Sequence, residues 1–378
     1  MRKIAYVTSS RIPSRAANTV HVVNMCAAFA EAGAKVTLFA RGTPGPARPI
    51  LDDFGVTAEF ELDLYPVRRP PMLDRLIFLR HLRSRLASGG YDFAYGRSPS
   101  ALLAGVPGKV PFAYDLHFFP LSRAQLQLEA MLFKRRNFLF ATAITRALVD
   151  KYEQTFPHLR GRILLAPCAA TPARELAPPP AGEPPQRPLR VYYVGHLYEG
   201  RGIDLILAIA ALEPEVEFHI VGGEDADIAR WKAQAPANVT FHGYVKPAQL
   251  AAHYAAADVC ISPHQRKVRG SGGGDITSWM SPMKLFEYMS HGKPIVAANL
   301  PAIREVLTDG ENALLCEPED VEAWRRAVAR LRGDGALRRA LGEAGYAELQ
   351  RSYTWAGRAE AIAARASEEI ARRRGGQR

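Results

Sequence analysis

At 378 residues, 48% of them hydrophobic, the chain exceeds one ordinary core and predicts two domains. A net charge of +11 calls for an anionic partner (nucleic acid, an anionic membrane or a phosphorylated substrate) or else reflects an arginine-rich surface with no such partner. The opening apolar run is too short for a secretory signal, no window reaches the roughly eighteen apolar residues of a membrane span, and Cys26, Cys168, Cys260 and Cys316 have no metal-ligand spacing, so a cytoplasmic protein with reduced thiols and no metal centre is expected.

In chain order, Ile4 to Thr8 reads as a first strand, and Asn18 caps a helix carrying Val22, Met25, Cys26 and Phe29 that Gly33 closes. Val36 to Phe39 resumes as strand, a β-α-β opening without the GxGxxG of a dinucleotide oxidoreductase. The loop Ser9 to Ala17 carries Ser14 and Arg15. Residues 66–86 place Leu73, Leu76, Ile77, Leu82 and Leu86 at helical spacing among Arg75, Arg80, Arg83 and Arg85, and 131–140 repeats the theme with Lys134, Arg135 and Arg136. Each reads as a basic helix lying on an anionic membrane, or as a core helix with a solvated basic side. Between them Tyr95, Gly96 and Arg97 end one strand, and Val110 to Leu116 forms another, ending in Asp115-Leu116-His117, that places His117 where open α/β sheets bind ligands.

Seven prolines between Pro172 and Pro188 mark an interdomain linker. Leu189 to Gly195 then opens a second β-α-β series, whose first turn carries His196, Arg201 and Gly202 before a helix through Ile206 and Leu207. Strands follow at 217–223, 239–245 and 257–263, the last leading to His264. The stretch Arg266 to Gly274 reads either as a mobile basic flap over phosphates or as an ordinary surface loop. No RNP-type motif, zinc spacing or recognition helix supports a nucleic-acid partner.

Ser281 to Ala298 reads as one short helix delivered into a buried strand. Ser281 is the expected N-cap, Pro282 the first helical residue, and Gly292 with Pro294 the stop. Lys284 in the first turn opposes the positive end of the helix dipole unless an anion sits before it, and a phosphate on the free N–H groups would be that anion. Glu287 lies about 7.5 Å along the axis from Pro282, the offset from a diphosphate to its ribose. The plainer reading is a surface Lys284–Glu287 pair worth a few tenths of a kcal/mol.

Ser-Pro-x-Lys-Leu-x-Glu-Tyr-Met from Ser281, Gly292-Lys293-Pro294-Ile295-Val296-Ala297, and Pro301 to Val306 together resemble the donor-site signature of the retaining, GT-B-fold glycosyltransferases of family four. The resemblance implies an α/β chain of two facing Rossmann-like domains with an interdomain cleft: 1–171 on the acceptor side, joined by a crossing helix at 353–372, a linker at 172–188, and 189–352 binding the nucleotide sugar. It implies a metal-independent hexosyltransferase that moves a sugar from a UDP- or GDP-sugar, without a cofactor, to a glycan, lipid-linked or small-molecule hydroxyl with retention of configuration, in bacterial glycan, glycolipid or glycoconjugate synthesis. The protein would be cytoplasmic, or peripheral on the inner face of the membrane.

By the same resemblance Glu287 binds the ribose, His117 faces the donor sugar, and Arg201 and Lys284 hold the diphosphate. Ser281, Pro282, Met283, Leu285, Gly195 and His196 line the donor site, Tyr244, Val245 and His264 lie near the base, and Ser14, Arg15 and Arg97 face the acceptor. Two positions depart from the pattern. Trp279 stands where the family commonly has a sugar-binding glutamate, leaving Asp275 or backbone groups to substitute, and His196 replaces an arginine. Those departures keep open a non-catalytic GT-B protein that binds a sugar nucleotide or a partner.

Overall fold

The computed structural model describes residues 3–67, 71–173, 187–269 and 274–375, in two compact units. Unit 1 takes in the chain up to Pro167 and the last helix from Trp355; unit 2 runs from Cys168 to Thr354.

Unit 1 alternates strand and helix: β1 (Lys3–Arg11), α1 (Ala17–Glu31), β2 (Lys35–Arg41), α2 (Ala47–Asp53), β3 (Glu61–Tyr65), α3 (Pro71–Ser88), β4 (Phe93–Gly96), α4 (Pro99–Gly105), β5 (Phe112–Leu116), α5 (Arg123–Phe133), β6 (Phe138–Ala143), α6 (Arg146–Thr155) and β7 (Ile163–Leu165). Its strands are parallel in the order β3-β2-β1-β4-β5-β6-β7. Parallel strands need crossover helices on both faces, which is why β4, β5 and β6 are buried along their whole length and read as continuous apolar runs.

Unit 2 contains β8 (Leu189–Val194), α7 (Ile203–Leu212), β9 (Val216–Val221), α8 (Asp225–Lys232), β10 (Val239–Gly243), α9 (Leu250–Ala256), β11 (Val259–Ser262), α10 (Met283–Ser290), β12 (Ile295–Ala298), α11 (Pro301–Arg304), β13 (Leu314–Cys316), α12 (Val321–Gly333) and α13 (Gly335–Ser352). The sheet order is β10-β9-β8-β11-β12-β13, again all parallel. Both sheets therefore reverse strand order beside their first strand, between β1 and β4 and between β8 and β11, the places where such folds bind ligands. The last helix, α14 (Trp355–Gly375), packs on α1 and β6 and so returns the chain to unit 1. Two doubly wound parallel units are the α/β architecture that a GT-B chain requires.

The structure corrects several local expectations. Met131 to Phe140 is not one basic helix: α5 ends at Phe133, residues 134–137 turn, and Phe138 begins a buried strand. Arg135 is spent on the end of α4, donating to Leu103 O and, at 2.9 Å, to Val106 O. This segment therefore offers no basic helix face to a membrane. Asn18 does not cap α1; its amide donates to Ser10 Oγ at 3.0 Å. Of the expected linker, residues 174–186 lie outside the described residues, as do 68–70 of the first basic segment and 270–273 of the expected flap. The described part of that flap is anchored: Val268 is fully buried, Arg266 pairs with Glu317 at 3.2 Å and Arg269 with Glu199 at 3.3 Å.

Candidate functional site

In unit 2 the turn after β8, the end of β11 and the start of α10 converge. The helix begins one residue later than its sequence signals: Pro282 holds the N-cap position with no side-chain cap, and Ser281 Oγ instead accepts the Cys168 N–H at 3.1 Å. Proline at that position supplies no competing N–H, and no N-cap side chain bonds the first turn. Leu285 is fully buried and its N–H bonds Pro282 O, so it serves the core face rather than a ligand. Met283 and Pro282 are half-buried beside it. Tyr288 fastens the helix from below, its hydroxyl taking the Val194 N–H at 3.0 Å and donating to Ile261 O at 3.3 Å.

Lys284, the second residue of α10, folds over the Tyr193 ring with Nζ 3.7 Å from the centroid. That nitrogen is shielded from water and, among the described residues, has no hydrogen-bond partner. Burial, reinforced by the Arg201 guanidinium and only partly offset by Glu287, holds its pKa well below the usual lysine range. Gly195 makes room for it: at φ 147° a Cβ there would stand 3.0 Å from Lys284 Nζ. Arg201 Nη1 donates to His264 Nε2 at 3.0 Å, while its Nε is buried with no partner among the described residues. Because a guanidinium only donates, His264 must accept on Nε2 and pass its own N–H from Nδ1 to Ser262 Oγ, 3.1 Å away. Burial, then Lys284 and Arg201, keep this histidine neutral. Two cationic side chains thus each point an unpaired buried donor from one locality.

One turn along α10, Glu287 Oε2 accepts the Tyr254 hydroxyl at 2.7 Å. Burial raises its pKa, against the lowering effects of Tyr254 and Lys284. His196 is stacked on Tyr198 at 4.7 Å, and its carbonyl takes the Tyr193 hydroxyl at 2.5 Å. Tyr244 and Val245 follow β10, the edge strand, with β9 between them and β8. Asp275 is exposed, and its Oδ1 closes a turn on Thr277, taking N–H at 2.9 Å and Oγ1–H at 2.6 Å. Trp279, half-buried, ends the same turn through its N–H on Ile276 O. A cavity of about 860 Å³ lies beside the site; it shares the turn Leu197–Gly202 and is walled by Trp231 and Arg230, but Arg201, Lys284 and Glu287 do not line it.

In unit 1 the residues that matter converge on Asp115, at the end of β5. Its Oδ1 accepts Thr142 Oγ1 at 2.7 Å and Arg358 Nη2 at 2.8 Å; its Oδ2 faces His117 Nε2 at 2.9 Å and His21 Nε2 at 3.1 Å. Burial alone would raise this carboxyl, but Arg358 and the two histidines together hold it well below the usual range. Burial pushes His117 down to about 4, with Arg97 adding to the effect, and His21 lies well below its usual value for the same first reason. His21, Asp115 and His117 each bring one ligand-type atom within 4.8 Å of the others.

Of the acceptor-side residues, Ser14 bonds Thr19 Oγ1 at 2.6 Å, Arg15 is exposed, and Arg97 is half-buried after β4. Sequence reasoning singled out His117 but missed Asp115, His21 and Arg358. One signal was local: Asp115 and His117 are two residues apart on an extended strand and so share a face.

Residues 188–334 match the family described as glycosyl transferases group 1, and residues 18–157 the glycosyl transferase 4-like domain. A phosphatidyl-myo-inositol mannosyltransferase of Mycolicibacterium smegmatis is 31% identical over 181 residues, 45% of this chain and 43% of that protein. The chain's match thus spans less than half the length of such curated relatives. Among solved structures, sucrose-phosphate synthase from Thermosynechococcus elongatus has TM-score 0.71 at 19% identity, covering 98% of this chain and 100% of that one. Anabaena HepE in complex with UDP-glucose has TM-score 0.69 at 17% identity, covering 97% and 100%.

Proposed function

The chain belongs to the group 1 glycosyl transferases, and from that premise we propose that it transfers a sugar from a nucleotide-diphosphate sugar, UDP- or GDP-linked, to a hydroxyl acceptor with retention of configuration. The observation that carries this reading is the Lys284 ammonium, buried and, among the described residues, without a hydrogen-bond partner at the uncapped start of α10, with Arg201 Nε equally unsatisfied there. An isolated buried ammonium costs several kcal/mol, so folding gains nothing from it. A diphosphate there would satisfy both side chains and the helix N–H groups together.

The chemistry follows from the charge. As the sugar C1–O bond to the diphosphate breaks, negative charge grows on the departing oxygens, and Lys284 and Arg201 stabilise it in a poorly solvated site. Two fixed cations fill the electrostatic role that a divalent ion would otherwise play. The acceptor hydroxyl attacks C1 from the face that the diphosphate leaves, its proton passing to the leaving phosphate oxygen as the new C1–O bond forms. Glu287, with one oxygen on Tyr254, offers the other to the ribose. His117, with Arg97 nearby, faces the sugar. The relative from M. smegmatis, named for a phosphatidyl-inositol acceptor, and the exposed Leu73, Leu76 and Ile77 of α3 favour a lipid-linked acceptor and a peripheral place on an anionic membrane.

A thermal-shift panel of UDP-, GDP-, ADP- and CMP-sugars tests the donor assignment. One nucleotide at about 100 times its Kd should stabilise the chain by about 2.7 kcal/mol, and Glu287→Ala should abolish that shift while leaving the unliganded transition in place. No shift with any donor, or a full shift in Glu287→Ala, overturns it. The second reading, a sugar-nucleotide or partner-binding protein without turnover, rests on Trp279 and His196 standing where the family pattern has glutamate and arginine; donor hydrolysis or transfer eliminates it.

A further inference from the structure

We propose that Arg358, on the last helix, and Asp115 are positioning residues that lock His117 as the neutral Nε2–H tautomer, so that its Nδ1 meets the substrate only as a hydrogen-bond acceptor. This rests on the reading of His117 as the residue that faces the sugar.

The argument begins with Asp115. Its carboxylate is fully buried, and Arg358, whose side chain is 3% exposed, supplies the compensating charge at 2.8 Å. Arg358 is itself fixed from several sides: Nε bonds Ala166 O at 3.3 Å and Pro167 O at 3.1 Å, and Nη1 lies 3.3 Å from Tyr95 OH. Thr142 holds the same Asp115 oxygen, and Tyr95 holds Thr142 at 2.7 Å. An ionised carboxylate carries only lone pairs, so an imidazole nitrogen 2.9 Å from it must be the one bearing hydrogen. Both His117 and His21 accordingly direct Nε2–H at Oδ2. Their rings stand edge to face at 4.6 Å, and His21 is braced the same way against Trp355 of α14 at 5.0 Å.

A neutral imidazole with hydrogen on Nε2 has only a lone pair on Nδ1. His117 is one-tenth exposed, and among the described residues its Nδ1 has no partner. It can therefore accept a hydrogen bond from a sugar hydroxyl, and it cannot donate to a ring oxygen or a phosphate. The charged groups facing His117 are Asp115 of β5, Arg97 after β4 and Arg358 of α14, with His21 of α1 beside it; the neighbouring Tyr6 and Tyr95 are held neutral by burial. Two guanidinium groups oppose protonation and one carboxylate favours it. Arg358 thus acts twice, anchoring the acceptor of the Nε2 proton and disfavouring a second proton on Nδ1.

The test is a long-range proton–nitrogen correlation spectrum of the full chain labelled with ¹⁵N-histidine, with His117→Gln and His21→Gln used for assignment. The expected spectrum shows His117 protonated on Nε2 alone and unchanged from pH 5.5 to 8. Arg358→Gln, confirmed folded by its amide dispersion, should bring the His117 titration up into that window and lower kcat on the order of 10-fold to 100-fold with nucleotide Kd unchanged. Arg358→Lys should restore both. Asp115→Asn, which can donate where Asp115 accepts, should move the His117 proton to Nδ1. A wild-type His117 protonated on Nδ1, or titrating near the ordinary histidine value, overturns the proposal, as does an unaltered His117 spectrum in folded Arg358→Gln. The spectrum needs no donor, so a lock confirmed in a chain that binds no nucleotide sugar would refute the donor reading and leave the tautomer lock standing without its role toward a sugar.

Discussion

Lys284 is where folding and binding pull in opposite directions. Among the described residues its ammonium keeps a cation–π contact with Tyr193 and no hydrogen bond, a contact worth about 2 kcal/mol when desolvated, against a desolvation cost of several. Lys284→Met retains the stem, fills the same space and removes the charge. It should stabilise the unliganded chain by about 1–3 kcal/mol in chemical unfolding and weaken nucleotide-sugar binding at least tenfold by calorimetry. Loss of stability with affinity intact would make the lysine structural and remove the main support for the donor site. This residue was legible in the sequence because a lysine in a first turn contradicts the dipole within four residues of its own position. The Asp115 hub was not, since its partners lie 94 residues before it and 243 after. Neither Arg358, inside an arginine-rich last helix, nor His21, inside an apolar one, carries a local mark of the contact it makes.

At the scale of elements, the two basic segments of unit 1 show what periodicity can and cannot separate. In α3 the 3.6-residue pattern is double: Asp74, Phe78, Leu82 and Leu86 are buried, while Leu73, Leu76 and Ile77 face outward, 53%, 62% and 38% exposed, along the helix from Arg80 and Arg83. An apolar stripe with basic neighbours on the solvent side is what an anionic bilayer accepts. In 131–140 the apolar residues after the basic triplet belong to a fully buried parallel strand, and a short continuous apolar run has the same appearance in a helix. Vesicles with a substantial fraction of anionic lipid should therefore sediment the wild type at low salt. Arg80→Glu with Arg83→Glu should weaken that binding by about 1 kcal/mol or more per reversed charge, and Lys134→Glu should not. Equal recruitment of all three proteins would remove α3 as the docking face. Turn and strand signals made β1, β2, β4, β5, β8, β9, β10, β11 and β12 legible, whereas β3, β6, β7 and β13 and the order of strands within each sheet were not read from the sequence.

For the molecule as a whole, pH sets two opposed terms in unit 1. Glu129 of α5 accepts Tyr114 and Tyr152 hydroxyls, each at 2.8 Å, and burial raises its pKa to about 7. A carboxyl that holds its proton more tightly when folded stabilises fully below its unfolded value, and that stability is lost as pH rises through 7. His117 works the other way: lowered to about 4, it is destabilising wherever the unfolded histidine would be protonated, so stability falls as pH drops from about 6.5 toward 4. His21, held low by the same burial, adds to the His117 term, so between about pH 4.5 and 6.5 the wild type should lose stability as pH falls despite the opposing Glu129 term. Glu129→Gln can still accept one tyrosine and bond the other, but it does not ionise. Its stability relative to wild type should therefore grow from pH 5 to pH 8 by up to about 3 kcal/mol, the free energy of a pKa displaced by about two and a half units. Unfolding of unit 1 can be followed separately through the indole N–H signal of Trp355, which lies in that unit while Trp231, Trp279 and Trp324 lie in the other. A constant difference between variant and wild type across that range would show that Glu129 ionises as freely folded as unfolded, and that the tyrosine pair stabilises its anion enough to cancel burial.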